Sequence, residues 1–395
     1  FITKFAKYYT PIVVIIAVIL AIVPPLVLKD ANFTDWIYRA LTFLVVSCPC
    51  ALVISIPLGF FGGIGGASKI GILVKGSNYL EALANTELVV FDKTGTLTEG
   101  VFEVQKVECE GISKEDLLRY TAYAENNSTH PIATSVKKAY GKEINVTNIS
   151  KVEEISGFGV IANVEGKDIL VGNEKLMKEK NIQYTKCNEI GTILYVAIEN
   201  EFAGYIVISD KVKKDSAKAI SNLKNMNIKK TVMLTGDKKE VGENIAERLR
   251  IDEVYTELLP DGKVKKVEEL LKEKDAKAKL AFVGDGINDA PVLAISDIGI
   301  AMGGLGSDAA IEAADVVIMT DEPSKLIDAI KISKKTMRIV KENIIFAIGI
   351  KIAVLILSAF GLSTMWEAVF ADVGVSIIAI INALRALNTK KYRNI

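Results

Sequence analysis

Val89–Val90–Phe91–Asp92–Lys93–Thr94–Gly95–Thr96–Leu97–Thr98 decides how the rest of the chain is read. An apolar run of strand type, Leu88 to Phe91, stops at a carboxylate, and the turn behind it is Lys, Thr, Gly, Thr. A buried strand delivers that carboxylate to its carboxyl end, where open α/β sheets bind ligands. The glycine turn offers backbone N–H groups and hydroxyls to an anion. Asp92 is thereby placed to attack phosphorus.

Around this stretch lie 395 residues, room for two or three domains. Lys+Arg and Asp+Glu both number 48, so the charge balance points to no polyanion and no nucleic-acid partner. A mean hydropathy of +0.30 with 24% charged residues implies apolar stretches mixed with ordinary polar domains. Four cysteines in a chain this long make no disulfide scaffold. The sequence opens on Phe1 with no signal-peptide pattern and reads as part of something longer.

Tyr8 to Leu28 is almost uncharged and long enough to span a hydrocarbon core, with a kink or unwinding expected at Pro24–Pro25. A second span runs from about Trp36 to Phe61 and contains Cys48–Pro49–Cys50; two more, Ile344–Leu362 and Trp366–Leu384, close the chain. Lys4, Lys7, Lys69, Lys75, Lys390, Lys391 and Arg393 all fall on the side of the polar middle, which the positive-inside rule makes cytoplasmic. Gly62, Gly63, Gly65 and Gly66 follow a span and not a strand, so they suit close helix packing or a flexible joint better than a dinucleotide loop.

In the polar middle, strand signals at Phe102–Val107, Val152–Ile155, Val160–Val164, Ile169–Val171, Ile193–Ile198 and Phe202–Ile208 predict a largely antiparallel unit. After Asp210 helices and short strands alternate, which predicts a parallel, doubly wound sheet. The opening strand belongs to that later sheet, so the antiparallel unit is an insertion. The expected division is 1–84 for two spans and a linker, 85–100 with 209–335 for the parallel unit, 101–208 for the insertion, and 336–395 for the last spans.

Three later stretches can meet Asp92 at one sheet edge: Thr231–Asp237, Pro260–Lys263 and Phe282–Pro291. In this reading Asp92 is the nucleophile, and Thr235 and Lys263 hold and neutralise phosphoryl oxygens. Asp285 shares a Mg²⁺ with Asp92, and Asp289 with Asn288 supports the metal. Asp92–Lys93–Thr94–Gly95–Thr96, Thr235–Gly236–Asp237 and Gly284–Asp285–Gly286–Ile287–Asn288–Asp289 resemble the signature of P-type ATPases, cation pumps of the haloacid-dehalogenase superfamily. The resemblance implies a haloacid-dehalogenase-like α/β phosphorylation domain with an inserted α+β nucleotide-binding domain and four transmembrane helices. It also implies ATP and Mg²⁺ as cofactors, with Mg²⁺ on Asp92, Thr94 and Asp285.

No Walker A loop is present. The insertion carries the chain's one histidine in Ser128–Thr129–His130–Pro131 and then Gly157–Phe158–Gly159, similar to the nucleotide domain of the heavy-metal class. That resemblance carries ATP contact over to Glu125, His130, Gly157, Gly159 and Asn173.

Cys48–Pro49–Cys50 sits mid-span, where proline breaks the helix ladder, frees carbonyls and lets two thiols share one cavity; a disulfide between residues this close is expected to be strained. Soft thiolates suit Zn²⁺, Cd²⁺ or Cu⁺. Lys351 and Asp372, the conspicuous charges of the last spans, must face the interior. Counted from the turn at Gly361–Thr364 they lie at similar depth, close enough for an ion pair. The set resembles the zinc/cadmium/lead-exporting subclass, with Cys48, Cys50 and Asp372 as ligands and Lys351 as a counter-cation. The Tyr-Asn and Met-Ser-Ser of copper pumps and the Ser-Pro-Cys and His-Glu-Gly of cobalt-type pumps are missing from the chain. The alternatives are a Cu⁺ pump of the same family and a membrane-tethered Asp-dependent phosphatase. The family's actuator domain, with its Thr-Gly-Glu loop, and four further spans are expected upstream, in an amino-terminal half that partners this one. The expected location is the plasma membrane, with catalytic domains in the cytoplasm and the lipid bilayer as a partner.

Overall fold

The computed structural model describes residues 2–28, 32–128, 130–189, 191–226, 228–286, 289–303, 308–359 and 365–389. Its strands are, in chain order, β1 (Ile72–Val74), β2 (Thr86–Asp92), β3 (Thr98–Cys109), β4 (Ile149–Ile155), β5 (Gly159–Val164), β6 (Lys167–Gly172), β7 (Thr192–Ile198), β8 (Glu201–Val212), β9 (Lys230–Leu234), β10 (Glu253–Tyr255), β11 (Lys279–Gly284), β12 (Ile298–Met302) and β13 (Val316–Ile318). Among the described residues they make two sheets, ordered β1-β13-β12-β11-β2-β9-β10 and β3-β8-β7-β6-β5-β4.

The first sheet is parallel except where β1 meets β13. Side chains alternate across a strand. Leu88 and Val90 pack with Leu234 and Phe282 on one face of β2, while Val89 and Phe91 pack with Met233 and Val283 on the other. Helices cover both faces, and that is why residues 88–91 are apolar at every position. The doubly wound expectation is borne out. The sheet also takes in β1, β10, β12 and β13, which the sequence alone leaves unassigned.

The second sheet is antiparallel throughout and interrupts the first between β2 and β9, as the insertion requires. Helices Lys114–Ala124 and Pro131–Tyr140 cover one face, and helix Glu174–Glu179 packs on the other. β3 and β8 cross between the two units and pair from Thr98↔Val212 to Cys109↔Gly204. This ribbon is the covalent bridge between the two sheets.

Among the described residues three helical stretches are long and apolar enough to cross a membrane: Tyr9–Val27, Phe33–Ser68 and Phe370–Leu387. The remaining expected span, 344–362, starts inside helix Lys325–Ala359 and ends outside the described residues, as does the turn at Gly361–Thr364. The first helix runs unbroken through Pro24 and Pro25 to Val27. The unwinding expected there is not found, because both prolines fall in the last turn, where only their own two bonds are lost. The second stretch is broken into Phe33–Val46 and Cys50–Ser68. Its glycines lie inside the second half, where a Cβ on Gly63 would come within 2.9 Å of Thr336 Cγ2 and one on Gly62 within 3.2 Å of Ala386 Cβ. Close helix packing, and not a joint, is their use.

Helix Lys325–Ala359 has 35 residues, a length of about 52 Å at 1.5 Å per residue. Leu326, Ile327, Ala329 and Ile330 at its start belong to the core of the first sheet, and Val340 and Ala347 pack with Leu52 and Ile56 of the broken stretch. One rod therefore joins the parallel sheet to the membrane helices.

Candidate active site and metal centre

Asp92 ends β2 between β9 and β11, so the residues following those two strands turn at the same edge. Thr235 follows β9, is buried, and its hydroxyl accepts the Asp237 N–H at 3.1 Å. Asp285 follows β11. Asp289 precedes helix Ala290–Ile295, and Lys263 stands in the first turn of helix Pro260–Glu273. Carboxylate oxygens of Asp92, Asp285 and Asp289 lie within 4.8 Å of one another. The Lys263 ammonium donates to Asp92 Oδ1 and, at 2.9 Å, to Asp289 Oδ1. Asn288 lies outside the described residues.

Three carboxylates around one cation leave a surplus of negative charge in a buried place. Burial, then Asp289, pushes Asp92 up to about 7 against the pull of Lys263. Burial and Asp289 push Asp285 up to about 6, opposed by Lys213. Burial works against the Lys263 cation, yet Asp92 and Asp289 together hold it above the ordinary lysine value. A bound divalent cation removes the conflict, and the donor set of clustered carboxylate oxygens is of the hard type that Mg²⁺ takes. Gly95 keeps the pocket open. Its φ of +71° is one that L side chains resist, and a Cβ there would collide with the Asp285 carboxylate. Thr94 is exposed, and among the described residues no side-chain hydrogen bond ties it to the cluster.

Lys93 turns away from the carboxylates. It pairs with Asp237 at 2.7 Å and Asp210 at 3.4 Å, so it ties the loop after β9 to the end of β8. Lys213, just past β8, is buried, donates to the Gly95 carbonyl at 2.5 Å and pairs with Asp321 at 3.0 Å. The sequence reading missed Lys213, Asp210 and Asp321. The available signal was Asp210–Lys211–Val212–Lys213, a charged cluster where the return strand re-enters the parallel unit.

In the inserted unit a cavity of about 310 Å³ is lined by all five residues expected to meet nucleotide: Glu125, His130, Gly157, Gly159 and Asn173. Ile132, Ile155, Phe158 and Leu194 supply apolar walls, and Glu154, which sequence reasoning did not single out, also lines it. Glu125 is buried and its carboxyl is held above the usual range by burial and then by Glu154. His130 Nδ1 accepts the Ile132 N–H at 3.2 Å as the N-cap of helix Pro131–Tyr140, which leaves the neutral ring's proton to Nε2. Asn173 donates to the Gly157 carbonyl at 2.8 Å and caps helix Glu174–Glu179. Gly159 is needed for a local reason as well, since a Cβ there would run into the Val171 carbonyl across the β5–β6 pair.

In the membrane part, the break at Ser47–Cys48–Pro49 frees carbonyls that other helices take up. Lys351 Nζ donates to the Val46 carbonyl at 3.1 Å and pairs with Asp372 Oδ1 at 3.4 Å; the Tyr9 hydroxyl donates to the Ser47 carbonyl at 2.7 Å. Asp372 sits in a π-helical turn, Phe370–Gly374, a device that re-aims a side chain within a helix. The break brings the Cα atoms of Cys48 and Cys50 to 5.5 Å, and their sulfurs are joined as a disulfide where the sequence leads one to expect two thiols. Only the reduced pair can offer thiolates to a metal.

Residues 86–297 match the family described as haloacid dehalogenase-like hydrolase. The chain is 60% identical over 391 residues to a cadmium, zinc and cobalt-transporting ATPase of Bacillus subtilis (strain 168), covering 99% of this chain and 56% of that protein. It is 53% identical to a zinc-transporting ATPase of Synechocystis sp., covering 98% of this chain and 53% of that one. The chain thus spans a little over half the length of these curated relatives. Among solved structures, a zinc-transporting PIB-type ATPase in its E2.Pi state superposes with a TM-score of 0.88 at 36% identity, over 98% of this chain and 64% of that one. Over nearly its whole length the chain is thus similar to part of these metal-transporting ATPases, and it belongs to the haloacid dehalogenase-like hydrolases.

Proposed function

We propose that this chain is the catalytic and metal-holding portion of a pump that uses ATP to export Zn²⁺, Cd²⁺ or Pb²⁺ through an aspartyl-phosphate on Asp92. The observation that carries the reading is one chain holding both ends of the coupling. A carboxylate cluster stands at the sheet edge, a Lys351–Asp372 pair stands beside the broken Cys-Pro-Cys helix, and one long helix connects them. A phosphatase acting on a soluble substrate has no use for the membrane pair.

In the proposed reaction an Asp92 oxygen attacks the γ-phosphorus of ATP. The bond from phosphorus to the bridging oxygen breaks, and ADP leaves. Asp92, Asp285 and the Thr94 position would hold Mg²⁺, which would supply positive charge to offset the carboxylates and the phosphate. Lys263 neutralises the transferred oxygens, Thr235 donates its hydroxyl to them, and Asp289 keeps Lys263 in place. Lys213 fixes the Gly95 carbonyl and so holds the turn that carries Asp92. In the inserted unit, the apolar walls suit a purine base, Glu125 and His130 suit its polar edge, and Gly157 leaves room at the rim. Asn173 is a positioning residue for the Gly157 turn.

For the cargo, Cys48 and Cys50 as thiolates and Asp372 as carboxylate make a mixed soft and hard set that suits a borderline divalent ion better than Cu⁺. Three of the relatives carry cobalt in their names as well, so Co²⁺ belongs in the test. Phosphorylation from ATP by the full-length protein is expected to depend on Zn²⁺, Cd²⁺ or Pb²⁺, to disappear in Cys48→Ala and Asp372→Ala, and to be at background in Asp92→Asn. Stimulation by Cu⁺ alone would sink the divalent assignment. His130→Ala is expected to raise the KM for ATP roughly tenfold with kcat retained, the pattern of lost binding that is equal in ground and transition states.

A further inference from the structure

A sizeable cavity among the described residues lies at neither site. About 520 Å³ in volume, it opens between helix Ser77–Ala84 and helix Lys325–Ala359 and is lined by Glu81, Asn85, Lys334, Arg338, Lys341 and Ile345, among others. A second cavity of about 350 Å³ continues along the same helix, lined by Lys331, Lys334, Lys335 and Arg338. Positions 331, 334, 338, 341 and 345 follow one another at three- and four-residue steps, so they share one helix face.

Two of these cations already have structural work: Lys334 donates to the Met226 carbonyl at 3.0 Å and Lys335 to the Asn388 carbonyl at 2.6 Å. Among the described residues Arg338 and Lys341 are exposed and have neither a hydrogen bond nor an ion pair. The carboxylates that share the cavity are Glu342, which pairs with Arg385 at 3.4 Å, and Glu81 on the opposite wall. Beyond Lys341 the face turns apolar and stays exposed, with Ile345 at 73% and Ile352 at 52%.

Depth fixes what this profile can meet. The break at Cys48–Pro49–Cys50 falls at the centre of the Phe33–Ser68 stretch, and Lys351 bonds to the carbonyl next to it, which sets Lys351 near the bilayer midplane. Lys341 is then about 15 Å up the helix and Arg338 about 20 Å at 1.5 Å per residue. Half of a hydrocarbon core is about 15 Å, and half of the bilayer with its headgroups about 20–22 Å. Arg338 and Lys341 thus stand at phosphate level, and Ile345 and Ile352 at acyl-chain level.

We propose that this cleft binds the phosphate headgroup of an anionic phospholipid of the cytoplasmic leaflet, with Arg338 and Lys341 on the phosphate and Ile345 and Ile352 along an acyl chain. Glu81 disfavours a free phosphate dianion but accepts hydrogen bonds from headgroup hydroxyls, so phosphatidylglycerol chemistry fits better than inorganic phosphate. The opposite wall matters for function, because helix Ser77–Ala84 leads directly into β2 and Asp92. A bound lipid therefore bridges the membrane rod and the element that enters the phosphorylated strand.

The test is the full-length protein in nanodiscs of phosphatidylcholine, titrated with spin-labelled phosphatidylglycerol, with immobilised label as the readout. Wild type is expected to prefer phosphatidylglycerol over labelled phosphatidylcholine, and millimolar inorganic phosphate is expected not to displace it. Arg338→Gln with Lys341→Gln is expected to weaken the association roughly tenfold or more, from the loss of two juxtamembrane charges. Arg338→Lys with Lys341→Arg should keep it, as should Lys265→Gln with Lys272→Gln on an exposed helix elsewhere. No preference in wild type, an unchanged affinity in the glutamine pair, or displacement by inorganic phosphate would each overturn the proposal. The first and last need no variant.

Discussion

Two of the molecule's aspartate–lysine pairings, one at the sheet edge and one in the membrane, are alike in make-up and differ in charge balance. At the sheet edge Lys263 serves Asp92 and Asp289, with Asp285 beside them, so three carboxylates share one cation. In the membrane, among the described residues, Lys351 pairs with one carboxylate, Asp372, and spends its second donor on the Val46 carbonyl. The first arrangement is short of positive charge, which a divalent ion would supply without displacing Lys263. The second is neutral as it stands, so a metal can take Asp372 only if Lys351 lets go. Under the proposed function, the first is a site to be filled and the second a site to be exchanged.

The comparison is most exposed to failure at Lys351. Breaking one partner of a buried pair leaves an uncompensated charge and typically costs about 3–5 kcal/mol, whereas replacing both by apolar groups can be neutral or stabilising. Lys351→Met in the full-length protein is thus expected to lower unfolding stability by about that amount. Lys351→Met with Asp372→Leu is expected to recover most of the loss. Thermal unfolding in detergent checks both, and equal losses in the single and double variants would mean that the pair is not balanced.

The sheet edge responds differently, because its lysine does not balance the site. Lys263→Met is expected to reduce phosphorylation of Asp92 about a hundredfold, close to 2.7 kcal/mol of barrier, with a smaller effect on folding than Lys351→Met has. Rapid-quench phosphorylation beside a thermal melt separates the two. A loss of folding without a specific loss of rate would make Lys263 a structural ion-pair partner and erase the contrast.

How far each pair could be seen in the sequence follows from how each is assembled. Asp92, Thr235, Lys263 and Asp285 were legible because each stands where a strand ends or a helix starts, and a parallel sheet brings such ends to one edge. The six strands of the insertion were legible from alternation. Ile72–Val74, Glu253–Tyr255 and Val316–Ile318 were not, since three residues carry no period and become strands only by pairing with a neighbour. Ile298–Met302 hides behind Gly299 and Ala301, poor strand formers that a buried inner strand tolerates. Lys213 lay in a legible charged cluster, but its partner did not show, for a related reason. Its reach to Gly95 exists only once β8 pairs with β3 and returns the chain to where it left. In the membrane, the charges of Lys351 and Asp372 stood out against their spans, but the Val46 carbonyl could not, because a backbone acceptor appears only where the helix breaks.

The smallest expected effect tests the surplus itself. Asp289 is the second-largest cause of the raised Asp92 value, after burial, and contributes to that of Asp285, and it also anchors Lys263. Asp289→Asn removes one negative charge and keeps a side chain that still offers an oxygen to Lys263. If the excess of carboxylates is what draws Mg²⁺, the Mg²⁺ concentration for half-maximal phosphorylation rises severalfold, while the rate at saturating Mg²⁺ falls by less than about tenfold. The sign is fixed by the charges: fewer carboxylates attract a cation less, and Asp92, relieved of a like charge, ionises more readily at neutral pH. A rate that falls by far more than tenfold at saturating Mg²⁺ would make Asp289 part of the reacting group. An unchanged Mg²⁺ midpoint would mean that Asp92 and Asp285 alone set the metal's affinity, and the sheet edge would then be a two-carboxylate site with Lys263 and Asp289 as a separate, self-balanced pair like the one in the membrane.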